Sequence, residues 1–464
     1  MEKGSLIENI EITGISSEGK AIGRLDNFVI FAEDAVPGDF ADILIYKKKK
    51  NFAEGRAVNI RKNSPDRVDA FCQHFGTCGG CKWQHLSYEK QLEFKQQQVY
   101  DAFVRIGKLD IPEILPIIGA AQTRHYRNKL EYTFSEKSWL TRQELSEGES
   151  KEQPALGFHV PFRFDKILDI KKCYLQDDFS NTIRLEVKRY CIENSMTFFN
   201  LNTQVGEMRN LIIRNSVVGE WMVIVVFHQV DDLKRNNFLE HLKNKFPQIN
   251  SLSYIINAKK NDSISDQDVH FYSGQEYISE KMEKLTYRIS AKSFFQTNSL
   301  QAYELYKIVR DFAKLSGTEN VYDLYTGTGT IASFVSEKAK YVTGIDYIED
   351  SIADAKQNAL DNNIKNVSFC SGDIKDILNV DFINKNGRPD VIITDPPRSG
   401  MHEEVIKSII KCSPSRIVYV SCNPSTQARD LQLMSDDFRI EKVQPVDMFP
   451  HTSHVENVTL LMKR

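Results

Sequence analysis

Short apolar or alternating runs occupy positions 7–12, 21–25, 28–31, 40–46 and 52–60, and Gly14, Gly19, Gly23, Pro37-Gly38 and Gly55 punctuate them. A period of two, broken this often by turn residues, predicts short strands. Five of them over 1–61 suit a small β-barrel of the oligonucleotide-binding kind. The period then lengthens. Over 87–107, Leu92, Val99, Phe103 and Ile106 lie at helical spacing, with Ser87 as N-cap and Gly107 as stop. From about 119 to 285 the pattern is mixed: 126–134 alternates, 210–215 and 221–227 read as strands, and 231–245 as a helix. The polar, acidic stretch 141–153 reads as a loop. From 286 onward, apolar runs at 321–325, 342–346, 367–370, 391–395 and 417–421 alternate with helical patterns near 299–315, 330–339, 349–362 and 402–411, and an apolar strand at 455–462 closes the chain. That alternation predicts a doubly wound α/β sheet. The expected organisation is α/β multidomain: a barrel over 1–61, a mixed α+β central domain over 62–285 and a Rossmann-like domain over 286–464.

Composition narrows the class. The 464 residues are 41% hydrophobic and 27% charged, with a net charge of −3. Bulk charge does not announce a nucleic-acid binder, so any such surface is local. Lys47 to Lys50, with Arg56, Arg61 and Lys62, set seven cations against Glu54 on the predicted barrel, a pattern that suits RNA. The first residues lack the basic-then-apolar pattern of a secretory signal, and runs such as 222–227 are too short to span a bilayer. A cytoplasmic protein with no membrane partner is expected. Eight cysteines in so long a chain then suggest metal or redox chemistry rather than a disulfide scaffold.

Three segments carry candidate chemistry. Cys422 ends the apolar run 417–421, and Pro424 forbids its continuation, so the thiol falls where open α/β sheets keep their ligand crevice. Asp395-Pro396-Pro397-Arg398 ends the preceding strand, and Glu456 follows later, giving a nucleophile, a substrate-holding turn and a carboxylate base. Asp323-Leu324-Tyr325-Thr326-Gly327-Thr328-Gly329 closes the first strand with a glycine turn. Asp346 ends the next strand and Asp373 the third, suited to ribose hydroxyls and an adenine amino group. Acids on successive strand ends without a phosphate cradle fit S-adenosyl-L-methionine better than a nucleotide. Cys72, Cys78 and Cys81, with Gly76, Gly79 and Gly80 between them, need a fourth thiolate for a zinc or iron–sulfur site. Cys173 is the candidate, with Cys191 and Cys370 left open; His74 and His85 read as incidental. Tyr126 to Tyr132 interleaves aromatics with cations, which suits RNA contact.

Together these motifs resemble the RNA uridine-5-methyltransferases, the family that makes 5-methyluridine in ribosomal and transfer RNA. The resemblance rests on Ser293-Phe294-Phe295-Gln296-Thr297-Asn298, the 323–330 turn, Asp395-Pro396-Pro397-Arg398-Ser399-Gly400, Ser421-Cys422-Asn423-Pro424 and the run from Asp447 to Glu456. It implies that the barrel is a TRAM domain and that the helix near 87–107 packs on the catalytic domain. It also implies a cofactor pocket lined by Gln296, Tyr325, Asp346 and Asp395, with Asp373 near the adenine, Cys422 as nucleophile and Glu456 as base. Family members with this cysteine pattern carry a four-iron cluster, so the resemblance implies a [4Fe-4S] cluster on Cys72, Cys78, Cys81 and Cys173. The implied substrate is RNA, 23S ribosomal RNA ahead of transfer RNA, and the implied state a monomer. Thr326, Thr330 and Asp346 depart from the residues common at those positions. A non-catalytic RNA-binding factor and an iron–sulfur redox protein are the competing readings; the intact Cys422 and Glu456 argue against the first, and the lack of a second redox centre against the other.

Overall fold

The computed structural model describes residues 2–112, 114–148 and 150–464. The first five strands, Leu6–Ile15, Ala21–Leu25, Phe28–Glu33, Phe40–Lys48 and Phe52–Lys62, close into a barrel. Alternation does the work: Ile10, Ile12, Ile30, Ile43 and Ile45 point inward and are nearly inaccessible. Gly23 and Gly55 face those isoleucines. A Cβ at either would stand about 2.5 Å from the Ile10 or Ile43 methyl, so only glycine lets the strands approach.

An eight-stranded sheet follows, in the spatial order Val269–Gly274, Ile249–Ile256, Trp221–Phe227, Met208–Asn215, Lys129–Ser135, Ala155–Val160, Arg163–Asp169 and Ser138–Trp139. Trp221–Phe227 is buried on both faces, as its unbroken apolar run requires. Met222, Ile224 and Val226 join the core of the C-terminal region, whereas Trp221, Val223, Val225 and Phe227 pack under helices Asp178–Glu193 and Asp232–Lys245. The sheet is therefore a wall shared with the C-terminal region rather than a separate body. The hairpin Tyr277–Met282/Leu285–Ser290 belongs to that shared core through Ile278, Met282, Tyr287 and Ile289. A division of the chain after residue 285 would cut through its second strand. Within the stretch expected to be a loop, Arg142–Ser146 forms one helical turn; position 149 lies outside the described residues.

The last sheet has seven strands in the order Val367–Ser371, Tyr341–Asp346, Asn320–Leu324, Val391–Thr394, Arg416–Ser421, Glu456–Lys463 and Phe438–Val446. The first five are parallel, and Glu456–Lys463 runs antiparallel to both of its neighbours. Strand order reverses between Asn320–Leu324 and Val391–Thr394, the switch point where such sheets open a ligand crevice. Helix Pro424–Met434 and edge strand Phe438–Val446 escaped the sequence reading. Pro445 sits in that strand, tolerable there only because the strand is an edge. Helix Tyr88–Asp101 crosses from the central region onto this domain and continues as a π-turn over Ala102–Ile106. Its Val99 and Phe103 are buried with Tyr322, Leu324 and Ile406. Among the described residues, no helix is long and apolar enough to cross a membrane.

Candidate active site and cysteine cavity

Strand Arg416–Ser421 ends at Cys422, and helix Pro424–Met434 begins at once, with Pro424 in its first turn and Asn423 as N-cap accepting from Ser425 N–H at 3.1 Å. The thiol is thus held between two rigid elements. The Asp395-Pro396-Pro397-Arg398 turn is tied to the same corner, since Asn423 Nδ2 and Thr426 Oγ1 both donate to the Arg398 carbonyl at 3.1 Å. Glu456 opens the neighbouring antiparallel strand. Ser421 pairs with Asn457, so the next residues along, Cys422 and Glu456, meet at the same sheet end.

The electrostatics of this corner are unusual. Glu456 is buried, and burial together with the nearby Asp395 pushes its carboxyl up to about 8 against the pull of Arg398. Burial, then the charges of Glu456 and Asp395, push the Cys422 thiol up to about 11, while the Arg398 guanidinium hydrogen-bonds it and pulls the other way. Burial and the Asp323 charge raise Asp395 to about 7. Arg398 also reaches His454, Nη2 to Nδ1 at 3.2 Å, and burial with Arg398 lowers that imidazole to about 4, so it is neutral. Arg398 therefore faces several acids in a poorly solvated site. The carboxyl is a stronger base than an ordinary glutamate, and any ligand that brings positive charge is favoured.

Beside this corner lies a narrow crevice of about 40 Å³ lined by Phe294, Gln296, Asp323, Tyr325, Gly327 and Asp395 among others. Asp323 is nearly inaccessible and knots the glycine turn, accepting from Thr326 Oγ1 at 2.5 Å and Ala332 N–H at 3.1 Å. Tyr325 has a positive φ of 62°, strain that the knotted turn sustains. Gly329 must be glycine: its φ is 73° and a Cβ would stand 2.8 Å from the Phe369 ring. Of the residues expected at the cofactor, Gln296, Tyr325 and Asp395 line this crevice. Asp346 stands behind it, accepting from Gly327 N–H and Ile348 N–H at 2.9 Å each. Asp373 is exposed, caps a short helix and pairs with Lys375 at 2.9 Å, which holds its carboxyl below the usual range.

Cys72, Cys78, Cys81 and Cys173 line a second cavity of about 430 Å³, whereas Cys191 lies within helix Asp178–Glu193 and Cys370 within strand Val367–Ser371. Gly80 N–H donates to Cys78 Sγ at 3.4 Å. Burial raises all four thiols, Cys78 and Cys81 to about 12. Among the described residues, no three His, Cys, Asp or Glu side chains are grouped to hold a metal ion. His74 accepts from Lys171 N–H at 2.9 Å, and His85 is buried against Phe75.

The cysteine loop is also a junction. Lys82 and Trp83 N–H groups donate to the His451 carbonyl, Lys82 Nζ to Glu18 O, and Trp83 Nε1 to Gly19 O. It thereby joins the barrel to the loop that carries His454 and leads into Glu456. Tyr126 and Tyr132, expected to contact RNA, are buried; Tyr126 donates to Pro450 O at 3.1 Å, so these rings serve the interior instead. Asn128 in the same segment donates to Gln296 O and Ser299 Oγ at 2.8 Å, bracing the motif at 293–298. Sequence reasoning missed the buried Lys95–Asp447 pair at 2.6 Å, which anchors the loop before Glu456. Its signal was present: a lysine between Leu92 and Val99 on an apolar helix face needs a partner.

Comparison with known proteins agrees with this geometry. A family model described as tRNA (Uracil-5-)-methyltransferase matches residues 211–464, and a TRAM domain model matches residues 6–58. A protein of Bacteroides thetaiotaomicron described as an RNA methyltransferase is 55% identical over 97% of this chain and 100% of its own. One from Porphyromonas gingivalis, described the same way, is 54% identical over 98% of this chain and 99% of its own. Among solved structures, the Pyrococcus abyssi tRNA (uracil-54, C5)-methyltransferase in complex with S-adenosyl-L-homocysteine superposes with a TM-score of 0.76 at 27% identity, covering 98% of this chain and 100% of that one. The chain therefore belongs to the tRNA (uracil-5-)-methyltransferase family, as an RNA methyltransferase that carries a TRAM domain ahead of its catalytic region.

Proposed function

We propose that the enzyme methylates C5 of a uridine in RNA, with S-adenosyl-L-methionine as methyl donor, Cys422 as nucleophile and Glu456 as base. The observation that carries this reading is the meeting of Cys422, Arg398 and Glu456 at one sheet end beside the Asp395 crevice. C5 of uracil is a weak nucleophile. Addition of the Cys422 thiolate to C6 makes the ring an enolate with electron density at C5. The bound donor supplies a methyl group on a positively charged sulfur. Glu456 then takes the C5 proton, the C6–S bond breaks, and the thiolate leaves. Arg398 favours the thiolate by hydrogen bond and charge. The donor is a cation, and Asp395 and Asp323, both raised to about 7 by burial, suit a positively charged ligand. Gln296, Tyr325 and Asp395 would contact it; Asp346 would reach a ribose from behind the turn, and Asp373 an adenine from the rim.

RNA containing 5-fluorouridine tests the chemistry. Fluorine does not leave as a proton does, so a donor-dependent covalent adduct is expected on the wild type and none on Cys422→Ala. An adduct that survives in Cys422→Ala removes Cys422 from its role.

Four soft thiols lining one cavity are a donor set suited to an iron–sulfur cluster. Cys72, Cys78, Cys81 and Cys173 would hold a [4Fe-4S] cluster, which would cross-link the loop that joins barrel and catalytic loop. Iron, sulfide and a broad absorption near roughly 400 nm are expected after anaerobic purification; zinc in their place overturns this assignment. The proposed substrate is 23S ribosomal RNA, on the strength of the TRAM barrel and this loop. Transfer RNA is the second reading, because the Pyrococcus abyssi enzyme that matches across the whole chain acts on it. Methyl incorporation into 23S and transfer RNA transcripts decides between them. Thiols left free suit a reducing cytoplasm.

A further inference from the structure

Phe162 is the most exposed large apolar side chain described, at 88%, and it borders the cavity of about 340 Å³ in which Cys422 lies. It stands at the tip of the hairpin formed by Ala155–Val160 and Arg163–Asp169, in a two-residue turn with Pro161. Its φ is 62°, a conformation that favours glycine or asparagine and that phenylalanine adopts only under strain. An apolar ring held in water on a strained turn has no folding rationale. The hairpin is nevertheless firmly backed: Gly79 of the cysteine loop packs so closely that a Cβ there would stand 3.0 Å from the His159 carbonyl and 3.6 Å from Pro161. The ring does not stand alone. Lys20 of the barrel lies 5.4 Å from its centroid, and Lys82 and Arg398 border the same cavity.

We propose that Phe162 is a stacking platform for a nucleobase next to the target uridine, with Lys20 and Lys82 receiving the phosphates that flank it. This rests on the RNA methylation proposed above. An exposed aromatic face beside cations is the general means of holding unpaired nucleotides, because every base has a π-face. The target base belongs deeper, at Cys422 and Glu456; Phe162, at the rim, meets its neighbour. A base splayed out of an RNA structure leaves adjacent bases unstacked, and a ring at the mouth replaces part of that lost stacking.

The test measures binding of a fluorescein-labelled octauridylate to the full chain by anisotropy. Phe162→Ala and Phe162→Leu are expected to weaken binding about tenfold to a hundredfold, with Phe162→Tyr within about twofold of wild type. Wild-type binding in Phe162→Ala overturns the proposal, as does full rescue by leucine, which would make the contact merely apolar. A ring that only clasps barrel to hairpin would lower the thermal midpoint in Phe162→Ala and leave binding unchanged, and that outcome also overturns it. The two proposals fail separately. Binding that depends on Phe162 in a protein that methylates no uridine retires the chemistry alone, and methylation with binding indifferent to Phe162 retires the platform alone.

Discussion

Replacing Glu456 with glutamine separates the stability of the site from its chemistry. Glutamine copies the shape of the neutral acid and removes its titration. The folded carboxyl titrates near 8 against an ordinary 4.5. Its protonated form is therefore the one the fold prefers. That preference costs nothing below pH 4.5; stability is lost as pH rises from there to about 8, and the loss is constant above. At about 1.36 kcal/mol per pH unit the full gap is about 5 kcal/mol, and at pH 7 about 3 kcal/mol. These are upper figures, because Glu456 and Asp395 titrate as a coupled pair, so one carboxyl does not carry the whole gap. At roughly 2–4 °C per kcal/mol, the glutamine variant should melt up to about 20 °C above wild type at pH 8 and within a few degrees at pH 5. Thermal denaturation of both proteins from pH 5 to pH 9 reads this directly. Wild type and variant falling in parallel across that range would refute the burial argument. The same variant tests the chemistry, since an amide does not accept the C5 proton. Methyl transfer should stall with RNA covalently attached through Cys422, visible as a denaturant-resistant band carrying labelled methyl. Sustained turnover would remove Glu456 from the role of base.

Arg398→Ala should raise both Cys422 and Glu456, because the guanidinium pulls both down; iodoacetamide labelling of the thiol slows, and the rising limb of the pH–rate profile moves to higher pH. Lys95→Met leaves Asp447 charged and buried without its partner, at a cost of about 3–5 kcal/mol in thermal or urea denaturation, and a second change of Asp447 to asparagine should recover part of it. Gly329→Ala drives a methyl toward the Phe369 ring at a positive φ, so donor binding by calorimetry should fall about tenfold or more while the barrel's thermal transition stays in place. Cys173→Ala should abolish the proposed cluster absorbance and loosen the loop, seen as faster hydrogen exchange over 78–85.

The strands of the barrel and of the parallel sheet were legible because their side chains obey a period set by which face is buried. The glycine turn, the Asp395 turn and the Cys422 strand end were legible for a related reason: abrupt breaks in apolar runs mark strand ends, and strand ends are where such sheets hold ligands. The central sheet was only partly legible. Trp221–Phe227 is apolar throughout because two different cores claim its two faces, and no local pattern says which bodies those are. The edge strand Phe438–Val446 hid behind Pro445, which only its edge position permits.

By itself, then, the chain determined most of its element types, its switch-point crevice and the candidates for the reactive groups, since these follow from local period and local chemistry. Tertiary structure decided how those groups behave. Cys422 and Glu456 face one another through antiparallel register; Arg398 comes from a third strand end, and burial raises Asp323, Asp395 and Glu456. The rings of Tyr126 and Tyr132 look alike in sequence to that of Phe162, yet two are inside and one stands in water at the mouth of the site. Burial depends on what long-range packing brings alongside, and no local run of residues encodes it.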